Sequence, residues 1–245
     1  MLKFFLVLLF IFSITGAKAD LIKMTTVSWP PFFGKTLENG GFLTALTREV
    51  LKTQGHTLEV TFQPWARAVK TTKKGAYHAL LGCWRTKKRE KDFLFSETKL
   101  DAGTHFLTLP KSNYNIKTIE DLEGLTIGRI RGYAMDPKFK EGLSKKKFSS
   151  LIYSDDSQAI RLLKKNRVDV IMENYYAMKY KLGKKFPSQK FDLKIVGKGF
   201  VNGNLYICWH KKNAGAKKLF KEFNLGLPKV IKKGIFKKLW KKYNL

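Results

Sequence analysis

The sequence predicts an α/β protein of two lobes, each a mainly parallel sheet flanked by helices. Strand-like and helix-like segments alternate in two successive sets, and such alternation builds parallel strands joined by crossover helices. Residues 76–84 (AYHALLGCW) form a nearly continuous apolar run, as expected of a strand covered on both faces. No low-complexity linker separates the two sets, so strand-like crossovers are expected to join the lobes, with a ligand cleft between them at the carboxyl ends of the strands.

The elements follow in order. Residues 21–28 read as a strand ending at the turn Trp29-Pro30-Pro31-Phe32. Residues 42–54 carry helical spacing, with Phe42, Leu43, Leu46, Val50 and Leu51 on one side and Gly55 as the stop. Residues 57–63 alternate like a strand, Pro64-Trp65 opens a helix to about residue 74, and Gly75 closes it before the apolar strand 76–84. A further strand spans 104–109. The second set reads as strand 125–130, a turn at Gly132 into a helix, strand 148–153, helix 155–166, strand 168–172, helix 174–182 and strand 193–196. The chain returns as strand 205–209 and ends in two helices, 214–225 and 228–243, divided at Pro228.

Apolar residues make up 44% of the 245 and aromatics 13%, which excludes a disordered basic tail. The formal charge is +29, with Lys and Arg spread over the whole length, so a generally basic surface is expected rather than a grafted binding tail. The N-terminus has a positive start at Lys3, an apolar run over 4–14, and Ala17-Lys18-Ala19 before Asp20. This is the pattern of a signal peptide over residues 1–19, cleaved after Ala19, and its apolar run is too short to span a bilayer. Cleavage removes Lys3 and Lys18 and no acid, so +29 less 2 leaves +27 on a periplasmic or secreted protein. Export permits disulfides. Cys83 and Cys208 both fall in strand-like runs; they either bond across neighbouring strands or stay as two separate buried thiols, and the second is the expectation.

The ordered set Trp29-Pro30-Pro31-Phe32, Gly41-Phe42, Gln63-Pro64-Trp65, Tyr77-His78-Ala79, Arg89 with Phe95-Ser96, Asp121-Leu122-Gly124, Gly128 with Gly132, and Arg167-Val168-Asp169 resembles the type II extracellular solute-binding proteins. The branch it resembles is family 3, the substrate-binding proteins of polar amino-acid ABC transporters. The resemblance runs through the mature chain to Leu239-Trp240-Lys241-Lys242-Tyr243. It implies the type II periplasmic-binding-protein fold with a two-strand hinge. Lobe one would take residues 20–98 and 203–245, lobe two 108–197, and the crossovers 99–107 and 198–202. It implies closure on a small carboxylate-bearing solute, an amino acid or related organic acid, for delivery to an ABC transporter permease or a membrane sensor. A monomer without cofactor, metal or catalytic residues is expected.

The resemblance also places the site. Arg89, in the basic stretch GCWRTKKREKDFLFSET, falls where the family's arginine holds the ligand carboxylate, and a planar guanidinium suits that task through two parallel hydrogen bonds. Arg85, Lys87, Lys88 and Lys91 read as solvated. Trp29 and Trp65 match aromatic or apolar wall positions, and Arg67 is expected in solvent. Tyr133 and Ala134, in the turn opening a helix, would offer backbone N–H groups to the same carboxylate. The family's ammonium-binding carboxylate is replaced: Asn174 stands at that position beside Glu173, and Gly82, Cys83 and Trp84 stand where small hydroxyl residues usually help. Gly82, Trp84, Glu173 and Asn174 are therefore candidate ligand contacts, and an α-amino acid is in question. Two other functions compete. One is a secreted dehydratase-like enzyme on the same fold, with Glu173 as general acid. The other is a basic envelope protein that binds polyanions through charge. His56, His78, His105 and His210 lack metal-ligand spacing, and no Gly-rich phosphate loop follows a strand.

Overall fold

The computed structural model describes residues 20–130, 136–154, 156–188, 192–200 and 203–245. The first set is β1 (Leu21–Thr26), α1 (Phe42–Lys52), β2 (Thr57–Phe62), α2 (Trp65–Lys73), β3 (Ala79–Trp84), the short α3 (Lys87–Glu90) and β4 (Phe93–Asp101). Residues 102–104 link it to β5 (His105–Thr108), β6 (Thr126–Ile130), α4 (Pro137–Ser144), β7 (Ser149–Tyr153), α5 (Asp156–Lys164), β8 (Val170–Glu173), α6 (Tyr175–Lys185) and β9 (Lys194–Lys198). The chain then returns as β10 (Asn204–His210) and ends in α7 (Ala216–Lys232) and α8 (Ile235–Lys242).

The two sheets share one plan. The first is ordered β2-β1-β3-β10-β4 and the second β7-β6-β8-β5-β9. In each, three strands are parallel and the fourth runs against both neighbours. That fourth strand is the one arriving from the other lobe, β10 in the first sheet and β5 in the second. The fifth strand, β4 or β9, is the one leaving. The central strands β3 and β8 are buried nearly throughout, which is why both read as unbroken apolar runs instead of alternating ones. Their carboxyl ends, at Trp84 and Glu173, point the chain toward the space between the lobes.

Helices pack on both faces of each sheet, giving two apolar layers per lobe. In the first lobe, Leu81, Ile207 and Trp209 meet Phe42, Leu46 and Val50 of α1 and Phe223 of α7 on one face. On the other face Leu80, Phe93 and Cys208 pack with Ala68 of α2. In the second lobe Val170 and Met172 face Phe106, Phe139 and Phe148, while Ile171 and Leu107 face Ile160, Leu163 and Met178. Helix α8 docks on α1: Phe236 and Trp240 stand edge-on to Phe42, with centroids 5.4 and 5.5 Å away. Its apolar stripe is therefore committed to lobe one. Among the described residues no helix is long and apolar enough to cross a membrane.

Two expectations are corrected. Helix α7 does not stop at Pro228 but runs through it to Lys232, and the break falls at Gly234, with φ +71°. Proline forfeits one rung of the ladder. Here Phe223, Leu227 and Val230 are buried on either side of it, and Gly226 lies against the backbone of Val50, so packing holds the helix together. The cysteines are not separate thiols. Strands β3 and β10 are neighbours, the two Cα atoms are 6.3 Å apart, and Cys83 is bonded to Cys208. The sequence shows two strands far apart in the chain; their adjacency comes from β10 inserting beside the central strand.

Candidate ligand cleft

A cleft of about 460 Å³ opens between the lobes. From the first lobe it is lined by Trp29, Phe33, Trp65, Gly82, Trp84 and Arg89, and from the second by Asp136, Phe139, Met172, Asn174 and Phe200. Gly103, between β4 and β5, and Gly203, which directly precedes β10, also line it. The crossovers touch there: Ala102 donates to the Gly203 carbonyl at 3.1 Å, and a Cβ on Gly203 would meet the Gly103 backbone.

The local sequence explains how each wall is held. Trp29 follows β1 in a tight turn, where it donates to the Phe33 carbonyl at 2.7 Å and accepts from Phe32 and Phe33. The turn contains a cis Pro30–Pro31 bond. It brings Trp29 edge-on to Trp84, with centroids 5.9 Å apart. Trp84 closes β3 and is 39% exposed, a large apolar surface presented to the cleft. Just before it, Gly82 is an extra residue in the β3–β10 pairing, with φ +75°. A Cβ there would lie 2.6 Å from the Phe33 ring, so only glycine lets that ring close against the strand.

Arg89 sits at the end of α3, whose N-cap is Thr86: the Thr86 hydroxyl accepts the Arg89 N–H at 3.2 Å. The guanidinium donates to the Trp84 carbonyl at 2.7 Å and lies over the Trp65 ring, 5.1 Å from its centroid. The acids around it are used by other cations. Glu90 pairs with Arg85 at 2.6 Å, and Asp92 pairs with Lys73. Among the described residues Arg89 has no ion-pair partner. It is half-buried, and burial pushes its pKa below the usual arginine value. A partly desolvated guanidinium at the mouth of an apolar cleft is a ready donor for a carboxylate.

The second lobe departs from the sequence-based expectation. Asn174 is buried at the cleft edge, and its amide is occupied. The side-chain oxygen accepts the Ala177 N–H at 2.8 Å as the N-cap of α6, and the side-chain nitrogen donates to the Gly103 carbonyl at 2.7 Å. Glu173 does not line the cleft. It is fully buried on β8, with one carboxylate oxygen accepting the Asn174 N–H at 2.8 Å. The alternation of β8 accounts for this: Met172 and Glu173 face opposite sides, and Met172 takes the cleft side. Tyr133 and Ala134 lie outside the described residues. Arg67 is exposed and away from the lining, as are Lys87, Lys88 and Lys91.

Asp136 was not foreseen in the sequence as a cleft residue. It caps α4, accepting the Lys138 N–H at 2.8 Å, with Pro137 at the first helical position. The Asp-Pro pair is a recognised helix-start signal and could have located it. Phe33, Phe139 and Phe200 were also missed, since nothing in a lone aromatic distinguishes cleft from core. Among the described residues no cluster of His, Cys, Asp or Glu could hold a metal.

The model of a family described as bacterial extracellular solute-binding proteins, family 3, matches residues 21–245. No curated protein matches the chain. Several solved structures are similar to it. One is the second substrate-binding domain of a candidate amino acid ABC transporter from Streptococcus pneumoniae Canada MDR_19A, with 26% identity and TM-score 0.71, covering 92% of this chain and 99% of that one. Another is an ancestral arginine-binding protein bound to arginine, with 26% identity and TM-score 0.60, covering 93% and 99%. The L-cystine solute receptor of Neisseria gonorrhoeae, in its unliganded open conformation, shares the fold at 20% identity and TM-score 0.69, covering 93% and 94%.

Proposed function

The chain belongs to the bacterial extracellular solute-binding proteins, family 3, and from that premise we propose that it is exported, closes its two lobes on a small carboxylate-bearing solute, and delivers it to an ABC transporter. One observation carries the reading. Arg89 is a half-buried cation without an ion-pair partner among the described residues, and it faces a cleft whose walls are otherwise largely apolar. A site of that kind gains from an anionic ligand group far more than from a neutral one. Trp29, Trp65 and Trp84 pack against the body of the solute, and the two crossovers at Gly103 and Gly203 form the hinge. The protein performs no chemistry on its ligand, acts as a monomer, and works in the periplasm or outside the cell, where the solute-binding neighbours of ABC transporters operate. Similarity to a substrate-binding domain of an amino acid ABC transporter and to an ancestral arginine-binding protein supports extending the proposal to amino acids and related acids.

The test is a thermal-shift screen of the chain from Asp20 at moderate salt, with amino acids, mono- and dicarboxylates, aromatic acids and short polyanions, repeated on Arg89→Ala. A ligand at a hundredfold over its Kd adds about 2.7 kcal/mol, a shift of several degrees. Stabilisation of the wild type by a carboxylate, lost in the variant, supports the reading. Stabilisation by polyanions alone, equal in both proteins, overturns it.

A further inference from the structure

Resting on the solute-binding role of the cleft, we propose that its solute is a carboxylate attached to a large apolar, ring-bearing body, and that no ammonium group is required. The walls give the body. Lobe one presents Trp29, Phe33, Trp65 and Trp84, and the facing wall adds Phe139 and Phe200. A polar side chain placed among these rings loses its water and, among the described lining residues, meets few groups able to replace it. A flat apolar body instead keeps every contact, and aromatic pairs gain further from offset or edge-on geometry. The cleft, at about 460 Å³, has room for a ring system of two fused rings with a short acid arm.

A cationic body is disfavoured although tryptophans attract cations. The Trp65 ring is already covered by Arg89, 5.1 Å away, and that guanidinium, without an ion-pair partner among the described residues, carries its positive charge into the same space. Arg89 holds one end of the solute and repels a second positive end.

The ammonium argument is one of charge. Asn174 is neutral, so beyond the bonds it makes to the Ala177 N–H and the Gly103 carbonyl it offers an ammonium no opposite charge. Glu173 is fully buried, stands outside the cleft lining and accepts the Asn174 N–H. Among the described lining residues Asp136 is the single acid, and it is held at the start of α4 by the Lys138 N–H at 2.8 Å, so the cleft offers an ammonium one carboxylate at most from these residues.

Isothermal titration of the chain from Asp20 with indole-3-propionate, L-tryptophan, L-glutamine and L-arginine tests this. Indole-3-propionate is expected to bind at least about tenfold tighter than glutamine or arginine, and within about fivefold of tryptophan. Arg89→Ala and Trp84→Ala are each expected to weaken it by about tenfold or more. Glutamine or arginine binding more tightly than both indole compounds would overturn the solute class while leaving the solute-binding reading intact. Tryptophan binding more than about fivefold tighter than indole-3-propionate would overturn the claim about the ammonium. Failure of both indole compounds to bind overturns the class outright; the wider carboxylate panel then decides the solute-binding reading separately.

Discussion

The Asn174 side chain, at the carboxyl end of the central strand of lobe two, donates to the carbonyl of Gly103 in the crossover at 2.7 Å. Its oxygen caps helix α6 through the Ala177 N–H. One buried amide therefore ties the second lobe to the hinge and starts a helix. Asn174→Ala is expected to cost about 2 kcal/mol, from the lost cap and a buried carbonyl left without its donor. Asn174→Asp keeps the cap but sets a carboxylate against that carbonyl, so it too is expected to destabilise the protein, by about 1–3 kcal/mol. Urea unfolding of both variants is the measurement. An Asn174→Asp protein as stable as wild type would show that the residue is free to serve a ligand instead.

Gly82 and Phe33 form a second constraint, on the first wall of the cleft. With φ +75° and the Phe33 ring 2.6 Å from where a Cβ would stand, Gly82→Ala combines backbone strain with a clash against a buried ring. The expected loss is about 1–3 kcal/mol, together with weaker solute binding as Phe33 is pushed into the cleft. Denaturant unfolding and titration with a bound carboxylate read the two effects. Unchanged stability would mean that the bulge relaxes, and that glycine is dispensable there.

What was legible in the sequence follows from which forces are local. The alternation of elements, the buried face of α1 and the start of α2 at Pro64-Trp65 depend on near neighbours, and each is found where periodicity and capping place it. Arg89, Trp29, Trp65, Gly82, Trp84 and Asn174 all line the cleft, and the sequence order of motifs sufficed to nominate them. The failures are non-local. The bond between Cys83 and Cys208 depends on β10 inserting next to β3. The persistence of α7 through Pro228 depends on its packing against α1. Glu173 was nominated by its place in the chain, and the pleat of β8 leaves it buried and outside the cleft lining.

The disulfide stands behind the aromatic wall, joining the central strand to its antiparallel neighbour across 125 residues of sequence. Both cysteines are fully buried, with Leu80, Phe93 and Ala68 around them. The double variant Cys83→Ala/Cys208→Ala removes the cross-link without leaving a lone buried thiol. It is expected to lose about 2–5 kcal/mol, because the reduced unfolded chain regains the freedom that a long closed loop denies it. Thermal unfolding of the variant, and of wild type with and without reductant, provides the check. A variant as stable as the oxidised wild type would show that the sheet alone holds β3 and β10 together.

His105 gives the pH dependence. It opens β5 and is buried, with Glu173 opposite it on β8 and Lys198 opposite on β9. Burial pushes its pKa below the ordinary value of 6.5; Lys198 adds to the shift and Asp101 opposes it. The folded state therefore resists the proton that the unfolded chain accepts. For a depressed pKa the stability contributed by the neutral form is complete above about pH 6.5 and is lost as pH falls below it toward the folded value. Unfolding free energy is expected to decline from about pH 7 to pH 5 in the wild type. In His105→Gln the decline over that window should be shallower, whatever the variant's overall stability, since glutamine does not titrate. Parallel declines in the two proteins would place the proton uptake elsewhere. A steeper fall in wild type alone would assign it to the strand that first carries the chain into lobe two.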